Sequence, residues 1–259
     1  MYEKELTFAK ALAKEAGEIM RQYFSFDLTR EWKSDQTPLT KADTEINSLV
    51  IKRIQESFTG DSIHGEEESV KTDSNRLWVC DPVDGTMAFS HGLQIATFSL
   101  ALVIDGVPVV GVIYDPFMNR LFYGSRDAGA FCNGVKIHVS NQPMQNALID
   151  VEGFPAKGQR GVTDYDIDIC RSIEALGSNT THLWSAIIAY ALIASGQYCA
   201  AVFNLTNIHD VAAAKVIIEE AGGMATDLFG NDQRYDQPTK GFIASNGVVH
   251  QELVNLFKK

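Results

Sequence analysis

The stretch Trp78–Thr86, WVCDPVDGT, decides how this chain is read. Trp78, Val79 and Cys80 have the character of the end of a buried β-strand. Asp81 ends it, Pro82 stops it, and Asp84-Gly85-Thr86 turns the chain. Two carboxylates this close at a strand end repel each other, and a divalent cation is the natural group to hold them there. Gly85 lets a ligand approach the backbone, and the N–H groups of Gly85 and Thr86 are suited to an anion. The same letters also fit a plain Asp-Pro/Asp-Gly surface turn, and only the rest of the chain separates the two readings.

Upstream, Leu6, Ala9, Ala13, Ala16 and Met20 recur at helical spacing and predict an amphipathic helix over about residues 3–24. Thr29–Leu39 is polar, contains Lys33, and is expected to be an exposed and mobile loop. Thr40-Lys41-Ala42-Asp43 has the form of a capping box opening a second helix, whose buried stripe is Ile46, Leu49, Val50, Ile54 and Phe58. Capping alone would explain both Thr40 and Asp43. Gly65-Glu66-Glu67-Glu68 follows a short extended segment and, standing alone, fits a solvated loop.

Downstream the period becomes that of strands. Asp105-Gly106 and Asn133-Gly134 are two-residue hairpin signals between apolar runs, so adjacent strands should form a mainly antiparallel sheet. Ser140–Asn146 is the best linker, dividing the chain into expected domains 1–145 and 146–259. Beyond it the pattern alternates. Strands are predicted at Ala147–Val151, Tyr198–Phe203 and Phe242–Ser245, and helices at Asp164–Leu176, Leu183–Ser195, Asp210–Ala221 and Val248–Phe257. The expected fold is α+β, a layered αβαβα sandwich with the larger sheet in the N-terminal half and a smaller mixed sheet in the C-terminal half.

Composition narrows the function classes. The 259 residues carry a net charge of −11, which speaks against nucleic acid as a partner and makes an anionic substrate awkward unless metal ions reverse the local field. The four cysteines, Cys80, Cys132, Cys170 and Cys199, are scattered without zinc spacing and fit reduced thiols in the cytoplasm. The charged amphipathic N-terminal segment is unlike a signal peptide, and the longest apolar run, Ala186–Ala194, is too short to span a bilayer. No membrane partner is expected.

Four separated acidic elements call for one account: Asp43, Glu66-Glu67, Asp81/Asp84 and Asp210. Asp210 also fits a simple helix N-cap. Gly65-Glu66-Glu67, Asp81–Thr86 (DPVDGT) and His209–Ala213 (HDVAA) resemble the three signature motifs of the inositol monophosphatase family, and order and spacing match as well. The likeness extends to Pro38–Asp43, Gly129–Gly134 and Glu219–Gly223.

That resemblance implies a Mg²⁺-dependent, often lithium-sensitive phosphatase that usually forms a homodimer. Glu66, Asp81 and the Val83 carbonyl would hold a first ion, and Asp81, Asp84 and Asp210 a second, with Glu66 reaching a weaker third through water. Asp43 and Thr86 would orient and deprotonate the attacking water, with Glu66 beside them. The substrate, a small phosphorylated metabolite, would meet Asp84, Gly85, Thr86, Ser185, Ala186, Phe203 and Asp210, with Lys33 closing from its loop. Five carboxylates would repel a phosphate dianion, so the metal serves binding as well as chemistry. No Ser or Cys beside a His base is apparent, which favours direct attack by water.

The chain departs from the family at three places. The residue before the last aspartate, usually Trp, is His209, which reads as a packing or hydrogen-bonding residue or as one with a ligand or leaving-group role. An acidic polyol contact seven positions before that aspartate is replaced by Phe203. A small pair opening the leaving-group helix is replaced by Trp184-Ser185. These changes weaken the case for myo-inositol and leave histidinol phosphate, fructose 1,6-bisphosphate and 3′-phosphoadenosine 5′-phosphate as alternatives. A catalytically weak, metal-dependent phosphate-binding regulator is the reading from another class. The intact set Glu66, Asp81, Asp84, Thr86 and Asp210 argues for the enzyme.

Overall fold

The computed structural model describes residues 1–25, 31–33, 38–152, 164–204 and 206–258. In the first half, α1 (Glu3–Tyr23) is followed by a two-stranded ribbon of β1 (Glu31–Trp32) and β2 (Pro38–Leu39), then by α2 (Lys41–Ser57). Next come β3 (Ser62–Gly65), β4 (Ser69–Val70), β5 (Arg76–Asp84) and the single turn α3 (Thr86–Ser90). Strands β6 (Thr97–Ile104), β7 (Val107–Asp115), β8 (Arg120–Ser125), β9 (Ala130–Cys132) and β10 (Val135–Lys136) complete this half. The second half holds β11 (Leu148–Glu152), α4 (Asp164–Glu174), β12 (Asn179–Thr181), α5 (Ala186–Ala194) and β13 (Ala200–Phe203). It ends with α6 (Ile208–Glu220), β14 (Met224–Thr226), β15 (Phe242–Ser245) and α7 (His250–Phe257).

Strands β3 to β10 form one eight-stranded sheet in the order β10-β9-β8-β7-β6-β5-β3-β4. All its pairs are antiparallel except β3 with β5. The five-stranded sheet runs β12-β11-β13-β15-β14 and is mixed. Helices α1 and α2 cover one face of the large sheet. Helices α5 and α6 fill the space between the two sheets, and α4 with α7 cover the outer face of the small one. This is the expected αβαβα layering. The middle core draws on residues from both halves of the chain, from Val79 and Ala101 to Tyr190 and Phe242.

Both hairpin signals turn as their residues dictate, with Asp105 and Gly106, and Asn133 and Gly134, all at positive φ. Other expectations shift. Strand β5 does not stop at Pro82 but runs to Asp84. Its register against β6 slips between Asp81 and Asp84, and Pro82, which has no N–H to donate, sits inside that irregularity. The helix expected from Leu183 starts at Ala186, capped by Ser185, whose hydroxyl accepts from the Ile188 N–H. The helix expected to start at Asp210 starts at Ile208, with Asn207 as its cap. Strands β4, β12 and β14 are two or three residues long, too short to leave a period in the sequence. The polar stretch Thr29–Leu39 lies partly outside the described residues, and its described ends are the β1–β2 ribbon.

Candidate active site

The site lies where one end of the large sheet meets the N-termini of α2, α5 and α6. Each of these helices takes up a carboxylate there. Thr40 and Asp43 form the expected capping box of α2. Asp43 Oδ2 accepts from the Thr40 N–H at 2.8 Å and from its hydroxyl, while Oδ1 lies 3.1 Å from the Thr86 hydroxyl. Capping and the site therefore share one side chain, an oxygen each. Asp210 repeats the arrangement. As the third residue of α6 it closes a capping box with Asn207, and its Oδ2 accepts from the Asn207 N–H at 2.5 Å. Its other oxygen lies 3.5 Å from His209 Nε2. Asp84 faces the start of α5, where Oδ2 accepts from the Ser185 hydroxyl, from the Ile187 N–H at 3.0 Å and from the Thr97 hydroxyl at 3.3 Å. The positive ends of three helices thus face the acidic cluster and moderate its repulsion.

Packing lets these termini converge. Helix α6 lies so close to β7 that a Cβ on Gly111 would strike the Ala213 carbonyl, so β7 carries glycine where the two cross. Gly85, at φ 84°, links β5 to α3. A Cβ there would lie 2.6 Å from the Ile95 carbonyl oxygen and 3.1 Å from Ser185 Cβ, so only glycine brings the two halves of the site together.

Glu66 follows β3, and its N–H donates to the Cys80 carbonyl at 3.2 Å, which sets it level with Asp81. Asp81 is buried, its Oδ1 accepting from the Val83 N–H at 3.0 Å. Two groups of ligand-capable atoms result, each with members within 4.8 Å of one another: Glu66, Asp81 and His209, and Asp43, Glu66 and Glu67. Glu66 belongs to both. The Val83 carbonyl accepts from the Thr86 hydroxyl at 2.7 Å. Lys33 Nζ bridges Glu66 at 2.8 Å and Glu67 at 2.5 Å.

The field here is short of positive charge. Burial, reinforced by Glu66, Asp84, Asp210 and Asp43, drives the Asp81 carboxyl far above the usual range. Asp43 is pushed up to about 6 by burial, against the opposing Thr40 hydrogen bonds. Burial lifts Asp84 to about 7 against the Ser185 hydroxyl, with Asp210 adding to the rise. Burial lifts Asp210 to about 7 against the Asn207 N–H, with Glu66 adding to it. Lys33 is held strongly protonated, because Glu66 and Glu67 outweigh its burial. A buried carboxylate set that resists ionisation, with a lysine ammonium lodged between two of its members, is the donor chemistry a hard divalent cation would complete. The residues fit such an ion.

At the start of α5, Ser185 touches Asp84 and Ala186 begins the helix behind it. Trp184 stands 53% exposed at φ 60°, with His182 edge-on at 4.8 Å. Phe203 is not on a pocket wall. It is wholly buried, its ring 5.3 Å from that of Tyr190, in the core between the sheets.

Sequence reasoning passed over two features, the His64 ring and two acids on β11. His64 stacks on His209 at 5.7 Å, and nothing local marks a histidine in a four-residue strand. Glu67, already among the acidic elements read from the sequence, shares Lys33 with Glu66. Asp150 and Glu152 are buried on β11, where Asp150 Oδ1 accepts from the Thr181 hydroxyl at 2.8 Å. Their signal was two acidic residues at alternate positions of an otherwise apolar strand.

A sequence model of the inositol monophosphatase family matches residues 1–259. An inositol monophosphatase of Mesembryanthemum crystallinum is 32% identical over 268 aligned positions, covering 98% of this chain and 96% of that protein. A histidinol-phosphatase of Chlorobaculum parvum is 30% identical over 252 positions, covering 96% and 95%. Among solved structures, an IMPase of Thermotoga maritima superposes with a TM-score of 0.88 at 29% identity, covering 98% of this chain and 97% of that one. The chain belongs to the inositol monophosphatase family and is a phosphoric monoester hydrolase.

Proposed function

We propose that the protein hydrolyses a small phosphorylated alcohol by Mg²⁺-dependent, in-line attack of water. The observation that carries this reading is the pair of capping boxes, which fix Asp43 and Asp210 through one oxygen each, with Asp43 Oδ1 on the Thr86 hydroxyl and Asp210 Oδ1 near His209, while both carboxylates repel the charge on Asp81. Glu66, Asp81, Asp84, Asp210 and the Val83 carbonyl would hold two Mg²⁺ ions, with Glu66 reaching a third. The bound ions would neutralise the cluster, admit the phosphate and raise the acidity of the nucleophilic water.

The remaining work falls to the chain. The N–H groups of Gly85 and Thr86, at the turn from β5 into α3, hold phosphate oxygens. The Thr86 hydroxyl, between Asp43 Oδ1 and the Val83 carbonyl, orients the water, and Asp43 takes its proton. Burial keeps the Asp43 carboxyl, at about 6, near the range a general base needs at neutral pH. Lys33 neutralises charge on Glu66 and Glu67 beside the phosphate. Reduced cysteines and a homodimer in the cytoplasm complete the reading.

The substrate is an inositol phosphate or histidinol phosphate, the names carried by relatives of similar identity. Exposed Trp184, edge-on to His182, gives the leaving group an aromatic wall and favours a planar or apolar alcohol over a polyol. Initial rates of phosphate release in Mg²⁺ from inositol 1-phosphate, histidinol phosphate, fructose 1,6-bisphosphate, 3′-phosphoadenosine 5′-phosphate and glycerol phosphate test this. Histidinol phosphate as the favourite supports the aromatic wall. Inositol 1-phosphate as the favourite refutes the wall and keeps the mechanism. Release from none of them refutes both.

A further inference from the structure

We propose that His209 is a metal ligand, so that the site formed with Glu66 and Asp81 prefers a first-row transition dication, probed as Mn²⁺, to Mg²⁺. The inference rests on the phosphatase reading only for the location of the metal centre.

Three observations carry it. One imidazole nitrogen of His209 lies within 4.8 Å of carboxylate oxygens of both Glu66 and Asp81, a spacing that a single ion closes with little movement. The residue is only 8% exposed, yet its ring is poorly satisfied. Nδ1 has no hydrogen-bond partner among the described residues, and Nε2 is 3.5 Å from Asp210 Oδ1, the far limit of a hydrogen bond. A buried imidazole with an unpaired nitrogen is costly unless something completes it. Finally, the residue is packed in place. It stacks on His64 at 5.7 Å and 18°, and its own carbonyl accepts from the Ser99 hydroxyl at 3.3 Å.

The donor chemistry sets the preference. Mg²⁺ gains little from replacing an oxygen ligand or a water by imidazole, whereas Mn²⁺ and the later first-row dications bind a mixed nitrogen and oxygen set more tightly.

Pulsed EPR of Mn²⁺ bound to the full chain reads the ligand directly. Nitrogen modulation from a directly bound imidazole is expected, and its pattern changes when the protein is grown with ¹⁵N-histidine. The modulation disappears in His209→Gln and in His209→Trp and persists in His64→Phe. In His209→Gln, Mn²⁺ affinity falls about tenfold or more, while Mg²⁺ affinity stays within about threefold. Bound Mn²⁺ without nitrogen coupling in the wild-type protein overturns the inference, and this result needs no variant to fold. Mg²⁺-dependent phosphate release on the same preparation separates the two claims. Release without coupling removes only the His209 ligand. Coupling without release from any ester upholds the ligand and removes the phosphatase reading.

Discussion

Replacing Asp84 by Asn should stabilise the metal-free protein at alkaline pH while abolishing its activity. The Asp84 carboxyl is raised from 3.8 to about 7, chiefly by burial. For a group raised in this way, the stability it contributes is fully present below pH 3.8 and is lost as pH rises through 7. Asn mimics the protonated form at every pH. All three donors to Asp84, the Ser185 hydroxyl, the Ile187 N–H and the Thr97 hydroxyl, address the same oxygen, so a single amide carbonyl can accept all of them. About three pH units correspond to about 4 kcal/mol as a ceiling. Sharing of protons with Asp81 and Asp210 roughly halves this, to about 2 kcal/mol. In a chain of this size that is a gain in Tm of roughly 4–8 °C. Thermal melts in EDTA at pH 5 and pH 8 read it directly. The gap between Asp84→Asn and wild type should be wide at pH 8 and narrow at pH 5. Mg²⁺ should close it by stabilising the wild-type protein alone. An Asn variant less stable than wild type at pH 8 in EDTA would refute the argument that this carboxylate is held against its own electrostatics.

Asp43→Asn should lower kcat by about 10²- to 10⁴-fold with little change in KM. The amide oxygen still accepts the Thr40 N–H, so circular dichroism should show α2 intact. Gly85→Ala should weaken inorganic phosphate binding at least about tenfold, because its Cβ would drive Ile95 and Ser185 out of place and φ 84° strains any side chain. Phe203→Ala should cost about 3–5 kcal/mol in urea melts and leave the ranking of substrates unchanged, since the ring fills core and not pocket.

Much of this was legible because the relevant signals are local. The hairpin turns at Asp105-Gly106 and Asn133-Gly134 demand positive φ, and the stripe from Leu6 to Met20 fits only a helix. The DPVDGT stretch could be placed on a strand end, but its ladder could not be seen. Whether β5 stops at Pro82 depends on how β6 accommodates a residue without an N–H, which is decided by the partner strand. Asp43 and Asp210 each had two competing explanations in the sequence, cap or site, and the structure shows each cap using one oxygen, with the other turned to Thr86 or His209. The depth of Phe203 could not be seen, because its position along β13 fixes depth only once β11 and β15 flank it. The His64–His209 stack joins residues far apart in the chain, and no period or spacing encodes such a pair.

The central claim is that this acidic cluster excludes phosphate until cations neutralise it. Calorimetric titration of inorganic phosphate into the protein, once in EDTA and once in saturating Mg²⁺, tests it most directly. Binding with Mg²⁺ and none in EDTA is the predicted result. Equal affinity in both would show that Lys33 and the backbone N–H groups of Gly85 and Thr86 suffice, and would contradict the account.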